Sequence, residues 1–368
     1  MIITVVGTRP EIIKMASVIE ACRKLDVDYS LAYAKQHYDW NMSAQFMKDL
    51  GYPKPDYVVD VGSGTHSSQT SAAMMGLEKL VARTRPDAVV VEGDTNTVLA
   101  SALASVKLHV PVCHVEAGLR SYDLRMPEEH NRRLVDHVSS LLFAPTSHAA
   151  SVLRNEKVWG RIRVSGNTVI DACLRFMDQA LAESEILGRV RFRVFALATL
   201  HRSENVDNLS TLRTLVGVLL GCPIPVVFPV HPRTMIALRN TGLMRKLEVS
   251  KKIQLLPPIG YFDLLVLMKE CEFILTDSGG IQEEATSPNI RKFVFVLRER
   301  TERPEGVRAG FAKVVGTRDC GSILRSLELS LKACRTLRRE CPYGDGNAGF
   351  EIAKALRSHQ FKLKRHVI

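Results

Sequence analysis

Two α/β domains, each a doubly wound parallel sheet, with a cleft between them, are what this sequence predicts. Three observations predict it. Short apolar runs alternate with longer helical patterns along the whole chain. Those runs are near-continuous in Val, Ile and Leu, as in strands covered on both faces. Finally, 368 residues at roughly 150 per domain point to two domains. In the first half the expected strands are Ile2–Val6, Ala88–Val91, Val110–Val115 and Leu141–Ala144, each followed by a helix-like stretch. In the second half they are Val194–Leu200, Pro225–Val230, Ile253–Leu256, Phe273–Thr276 and Phe293–Leu297. The join is expected near Val169–Gly188, where a helical stretch runs into a charged, loosely patterned segment. This assigns residues 1–170 to the first domain and 171–349 to the second. In such sheets ligands sit beyond the carboxyl ends of the strands, so the polar residues there are the candidates for function.

Composition narrows the function classes. Hydrophobic residues make up 46% of the chain, too much apolar surface for a disordered protein. The longest uncharged apolar stretch, Val216–Val230, is interrupted by Gly217, Gly221, Pro223, Pro225 and Pro229, so no membrane span is expected. The start, MIITVVGTRP, lacks a basic leader and a cleavage pattern and reads as cytoplasmic. Fifty Lys+Arg against 39 Asp+Glu leave a charge of +11, which suits either a polyanion or a small anionic ligand. From Ser330 onward nine basic and three acidic residues give +6 of that excess. There FEIAKALRSHQF keeps helical spacing, so a packed basic helix is favoured over a nucleic-acid tail. The eight cysteines form no CxxC pair and read as buried thiols rather than metal ligands or disulfides.

The strand ends carry the chemistry. After the first, Gly7-Thr8-Arg9-Pro10-Glu11-Ile12-Ile13-Lys14 combines capping-box spacing with a proline in the first turn. Arg9 and Lys14 oppose the helix dipole there and call for an anion. Asp94 follows a strand in Glu92-Gly93-Asp94-Thr95 and could serve simply as a helix cap. Glu116, in His114-Val115-Glu116-Ala117-Gly118, lies in a setting too apolar for a solvated carboxylate. Glu128 opens a proline-led helix, where an acid is favourable in any fold. Three carboxylates from three consecutive strand-end loops would raise at least one pKa, as general acid/base chemistry requires. In the second half His201 follows a strand and would point into the cleft, although a structural histidine fits equally well. The run Thr276-Asp277-Ser278-Gly279-Gly280 reads as a strand, a tight turn and a helix start able to approach a diphosphate. Glu284, one turn further, is placed for a ribose. The spacing is neither GxGxxG nor a P-loop.

With these residues in view, the chain resembles the non-hydrolysing UDP-N-acetylglucosamine 2-epimerases. GTRPEIIKM, QHYD, GDTNT, HVEAGLRS, PEEHNR, SGNTVIDA, LHRSENVD, PVHPR, LTDSGGIQEEA, TERPEGV and PYGDGNA occur in that family's order and spacing, over essentially the whole chain. The resemblance implies a GT-B-type fold of two Rossmann-like domains, with a C-terminal helix over residues 350–368 crossing back to the first. It implies a cytoplasmic homodimer that binds UDP-sugar and UDP and needs no metal or other cofactor, no nucleic acid and no membrane. The implied reaction is interconversion of UDP-N-acetylglucosamine and UDP-N-acetylmannosamine through loss of UDP, a 2-acetamidoglucal intermediate, and UDP re-addition. Asp94, Glu116 and Glu128 match the catalytic carboxylates, and His201 matches the histidine beside the leaving phosphate. Arg9, Lys14, Ser278, Gly279, Gly280, Glu284 and Arg303 match positions that bind UDP. The uracil segment would be Pro258-Ile259-Gly260-Tyr261, with Ile259 where some bacterial members carry glutamine.

Three positions depart from the pattern. The loop from Glu116 to Glu128 is shorter than in well-known bacterial members, a length that also occurs in relatives acting on UDP-linked diacetamido-glucuronates, and it carries Arg125. Gln36 matches a glutamine of the bacterial allosteric site, but Asp39 replaces the usual partner. Ser287–Phe293 is longer than the bacterial loop, with Phe293 in place of a proline. The rival readings are a 2-epimerase of a diacetamido-glucuronate, a GT-B glycosyltransferase, a hydrolysing epimerase, and a nucleic-acid binder resting on the basic tail.

Overall fold

The structure, a computed structural model, describes residues 1–35, 40–62, 64–334, 339–359 and 361. It divides into two units, Met1–Ala172 with Tyr343–Ile368, and Cys173–Pro342. The return to the first unit begins at Tyr343; the family resemblance placed the returning helix at residues 350–368.

The first unit runs β1 (Ile2–Val6), α1 (Arg9–Lys24), β2 (Tyr29–Lys35), α2 (Trp40–Asp49), β3 (Tyr57–Asp60), α3 (His66–Thr84) and β4 (Ala88–Glu92). It continues with α4 (Asn96–Lys107), β5 (Val112–Val115), α5 (Pro127–Val138), β6 (Leu141–Ala144), α6 (Ser147–Asn155), β7 (Arg161–Val164) and α7 (Thr168–Glu183). Helix α7 carries the chain across the boundary. All seven strands are parallel, in the order β3-β2-β1-β4-β5-β6-β7. The order reverses between β1 and β4, the switch point at which doubly wound sheets bind ligands. Strands β1 and β4 are wholly buried and, apart from Thr4 and the terminal Glu92, consist of Ile, Val and Ala, which fits their central place. The pattern did not signal β2, β3 or β7. Strand β7, Arg-Ile-Arg-Val, is an edge strand with no buried residue, and charged residues on an edge deter pairing with other chains.

The second unit contains α8 (Ile186–Arg189), β8 (Ala196–Thr199), α9 (Ser203–Val206), α10 (Leu209–Gly221), β9 (Val226–Pro229), α11 (Pro232–Asn240), α12 (Met244–Glu248) and β10 (Ile253–Leu256). Then come α13 (Tyr261–Glu270), β11 (Phe273–Thr276), α14 (Gly279–Glu284), β12 (Phe293–Val296), α15 (Pro304–Arg308), β13 (Ala312–Val314) and α16 (Cys320–Cys334). Its six parallel strands are ordered β10-β9-β8-β11-β12-β13. Phe228, Phe273 and Phe295 on β9, β11 and β12 pack with Leu212 and Leu215 of α10 and Leu327 of α16 in one apolar cluster. The edge strand β13 is only three residues long and carries an exposed lysine at its centre, and the pattern missed it too.

The last helix, α17 (Ala348–Ser358), belongs to the first unit and lies against α1. Asp171 caps it, accepting from the N–H of Gly349 at 2.7 Å and of Ala348 at 3.2 Å. Burial pushes the Asp171 carboxyl up to about 6, although these donors act against it. Gly349 is where the helices meet: a Cβ there would lie 2.6 Å from the carbonyl carbon of Ser17 on α1. Gly349→Ala should therefore cost about 1–3 kcal/mol through overpacking. Urea unfolding checks this, and a wild-type midpoint would contradict the contact.

Candidate active site

In the first unit the strand order brings three loops together. Strands β1, β4 and β5 are neighbours, and the β4–β5 register sets Glu92 opposite Val115. Glu116, the next residue after β5, therefore emerges beside the end of β4. Its φ is +67°, a left-handed conformation that costs a non-glycine residue free energy and is concentrated at functional sites. Lys14, on the second turn of α1, meets Glu116 in a close ion pair and lies 3.0 Å from Glu92 Oε1. Lys14, Glu92 and Glu116 are 9%, 1% and 8% exposed. The anion that answers Lys14 within the fold is thus a pair of carboxylates. Burial above all drives Glu92 well above the ordinary glutamate value, and Glu116 and Glu11 add to it while Lys14 opposes them.

Glu11 holds the loop before α1 in place. Its carboxylate accepts from Gly7 N–H at 2.6 Å, Thr8 N–H at 3.3 Å, and the Thr8 and Thr95 hydroxyls at 3.0 and 2.8 Å. It is buried, and that burial raises it against these donors. Arg9 by contrast is exposed, its guanidinium 5.5 Å from the centroid of the Phe46 ring.

Asp94, beyond Gly93, accepts from Arg132 Nε at 2.8 Å, and its carbonyl accepts from Asn131 at 2.8 Å. Both partners lie on α5, whose first turn carries Glu128. Glu128 is half-buried and makes no hydrogen bond or ion pair among the described residues. Its neighbour Glu129 is fully buried and structural, accepting from the Ser121 N–H and hydroxyl and from Arg133. Beneath the loop, Asp136 contacts His114 at 2.7 Å and Arg120 at 2.8 Å. Burial works to raise Asp136, but these two partners prevail and hold it below its ordinary value.

In the second unit the organising group is Asp277, at the end of β11. It is fully buried and accepts from the N–H of His201 and Arg202 and from Asn205 Nδ2, all at 3.0–3.2 Å. His201 Nδ1 lies 3.2 Å from the same carboxylate, with about a third of the ring side chain exposed. The β8–β11 register, Thr199 opposite Thr276, produces this approach. Ser278 caps α14, followed by Gly279 and Gly280. A Cβ on Gly279 would come within 2.8 Å of Glu302, whereas one on Gly280 would meet only the Ser278 hydroxyl, at 4.0 Å. Arg303 is buried, its Nε 2.5 Å from Glu283. Glu284 is buried as well and acts on the Tyr261 hydroxyl, which lies 4.0 Å from the Cys173 sulfur. Burial above all pushes that phenol well up. Tyr261 is thus packed inside the unit rather than presented at its surface.

Glu92, Arg132, Asp277 and Glu283 are polar site residues that the pattern did not single out. Glu92 had one signal, a charged residue directly ahead of Gly93 at the end of an apolar strand. Gln36 and Asp39 lie outside the described residues.

A family profile described as UDP-N-acetylglucosamine 2-epimerase matches residues 20–357. The UDP-N-acetylglucosamine 2-epimerase of Methanocaldococcus jannaschii is 42% identical, with 96% of this chain and 97% of that one covered. The chain belongs to the UDP-N-acetylglucosamine 2-epimerase family. A crystal structure of the M. jannaschii epimerase in complex with UDP-GlcNAc and UDP superimposes with a TM-score of 0.89 at 41% identity, covering 98% of this chain and all of that one. The UDP-2,3-diacetamido-2,3-dideoxy-D-glucuronate 2-epimerase of Pseudomonas aeruginosa is 39% identical over 96% of this chain and 99% of its own. The two Rossmann-like sheets of this epimerase family member are of the GT-B type. None of its described helices is long and apolar enough to cross a membrane.

The acid-side stability of this epimerase should reflect Asp277. Burial works to raise that carboxyl, but His201 and the N–H donors prevail and hold it below the ordinary 3.8. A depressed folded value gives stability that is present above the unfolded value and lost as pH falls through the folded one. Between about pH 6 and about pH 3 the wild type should lose more stability than Asp277→Asn. Urea midpoints at the two pH values measure the difference, and equal losses would contradict it.

Proposed function

We propose that this chain interconverts UDP-N-acetylglucosamine and UDP-N-acetylmannosamine. The observation that carries the reading is the buried Lys14–Glu116 pair at the switch point of the first sheet, in a chain of this family. In the reaction the C2–H bond and the C1–O bond to UDP break, the proton going to an enzyme base and the electron pair of the C1–O bond to UDP. UDP then adds back to the glucal, and a second group delivers a proton to the opposite face of carbon 2. This requires acid/base groups on both faces, a role proposed for Asp94, Glu116 and Glu128. Asp94 is held ready by Arg132, and Glu128 has no internal partner among the described residues to satisfy it first.

Charge on the departing diphosphate has to be met by fixed donors. That role is proposed for His201, Arg9, Arg303, Ser278, Gly279 and Gly280, with Glu284 on the ribose and Tyr261 beside the uracil segment. The burial of Tyr261 and its contact with Glu284 favour a supporting role for it. For Lys14, the contact with Glu116 favours action on the acid/base group over a lone contact to phosphate. The same reading takes the enzyme as a cytoplasmic homodimer without metal or other cofactor.

A second reading is the epimerisation of a UDP-linked diacetamido-glucuronate, favoured by the P. aeruginosa relative. Arg125 is the cation in the shortened loop, but it already holds Asp123 through two hydrogen bonds of 2.8 and 2.7 Å. A carboxylate on the sugar would have to compete with Asp123, which favours the neutral sugar.

Incubation with UDP-N-acetylglucosamine in deuterated water tests the main reading. The mannosamine product should appear with deuterium at carbon 2; product without it would exclude the elimination route, and turnover of only the acidic sugar would select the second reading. Asp94→Asn and Glu116→Gln should each lower kcat by about 10²–10⁴-fold, the usual worth of a general acid or base. UDP affinity, read by calorimetry, should stay close to wild type, and normal turnover in either variant would remove that residue from the chemistry.

A further inference from the structure

Glu92 has no part in the reaction as assigned above, yet it sits against the groups that do. Its Oε1 lies 3.0 Å from Lys14 Nζ, and the same ammonium contacts Glu116. Both carboxylates are buried, and Glu11 on α1 is a third acid close enough to act on Glu92. One ammonium is shared by two buried carboxylates, with Glu11 close enough to act on Glu92, and an excess of buried negative charge is costly. A proton on one of the two acids would remove that excess. Lys14 has two acceptors to choose between, and its position decides the field felt by Glu116.

We propose that Glu92 is a positioning residue that accepts from Lys14 as a neutral carboxylic acid and so keeps the ammonium against Glu116. The inference rests on the epimerase reading, since Glu116 is the acid/base group it serves. The burial that drives Glu92 above the ordinary glutamate value supports the assignment of the proton to it. The groups that face it are Lys14 and Glu11 from α1 and Glu116 from the end of β5. When pH rises enough to ionise Glu92, the new carboxylate competes for Lys14 and repels Glu116. Turnover then falls on the alkaline side.

Two variants read this out. Glu92→Gln keeps an acceptor for Lys14 but cannot ionise, so the alkaline limb of kcat, scaled to the variant's own maximum, should move up by at least about one pH unit. Glu92→Ala removes the acceptor and should lower kcat at least about tenfold, with the Kd for UDP changed less than about twofold. Thermal melting of both variants shows whether they are folded, and Glu92→Gln carries the test should Glu92→Ala unfold. A Glu92→Gln profile that coincides with the wild-type limb overturns the proposal, as does a folded Glu92→Ala with wild-type kcat. A wild-type enzyme that turns over neither UDP-sugar overturns the epimerase reading and this one with it. An active wild type with unaltered variants overturns only the role of Glu92.

Discussion

One ammonium held between two buried carboxylates is the constraint around which the first unit is built. Removing Lys14, Glu92 and Glu116 from water is expensive, and their attraction offsets that cost only while the geometry is kept. The geometry comes from three elements at once: α1 supplies the lysine, β4 ends at Glu92, and the left-handed turn after β5 aims Glu116. Parallel strands in the order β1-β4-β5 are what place those ends side by side. Glu11, bonded to the Gly7–Thr8 loop and to Thr95, ties the start of α1 to the loop after β4. At Gly349, α17 then packs closely against α1 at Ser17.

The second unit solves a similar problem with different donors. Asp277 is as buried as Glu92 but is supplied with backbone N–H groups, an asparagine and a histidine, so it stays ionised where Glu92 gains a proton. Two acids at strand ends in comparable sheets are thereby driven in opposite directions. What separates them is the count of donors, not burial. An ionised Asp277 in turn orients His201, whose ring remains partly exposed.

Most central strands were legible because a strand covered on both faces must be apolar, and Ile2–Val6, Leu141–Ala144 and Phe273–Thr276 coincide with the expected runs, as does the largely buried edge strand Ile253–Leu256. Strands β2, β3, β7 and β13 were not, because partly exposed strands mix polar residues into the period that marks them. Among site residues, those at the mouths of strands could be named from position alone. Their partners could not: the pattern offered Lys14 an outside anion, whereas the fold also gives it Glu92 and Glu116. Tyr261 was named only as part of a uracil segment, and the fold alone shows its hydroxyl beside Glu284 and Cys173.

By itself the sequence determined the fold class, the family and the loops that hold the polar groups, since apolar runs and short motifs are local properties of the chain. Which acid keeps its proton was decided only by the tertiary structure. That depends on strand order, register and the number of donors reaching each carboxylate, quantities set by residues far apart in the chain. Glu92 and Asp277 both end apolar strands, and only their neighbours in space make one a neutral acid and the other an anion.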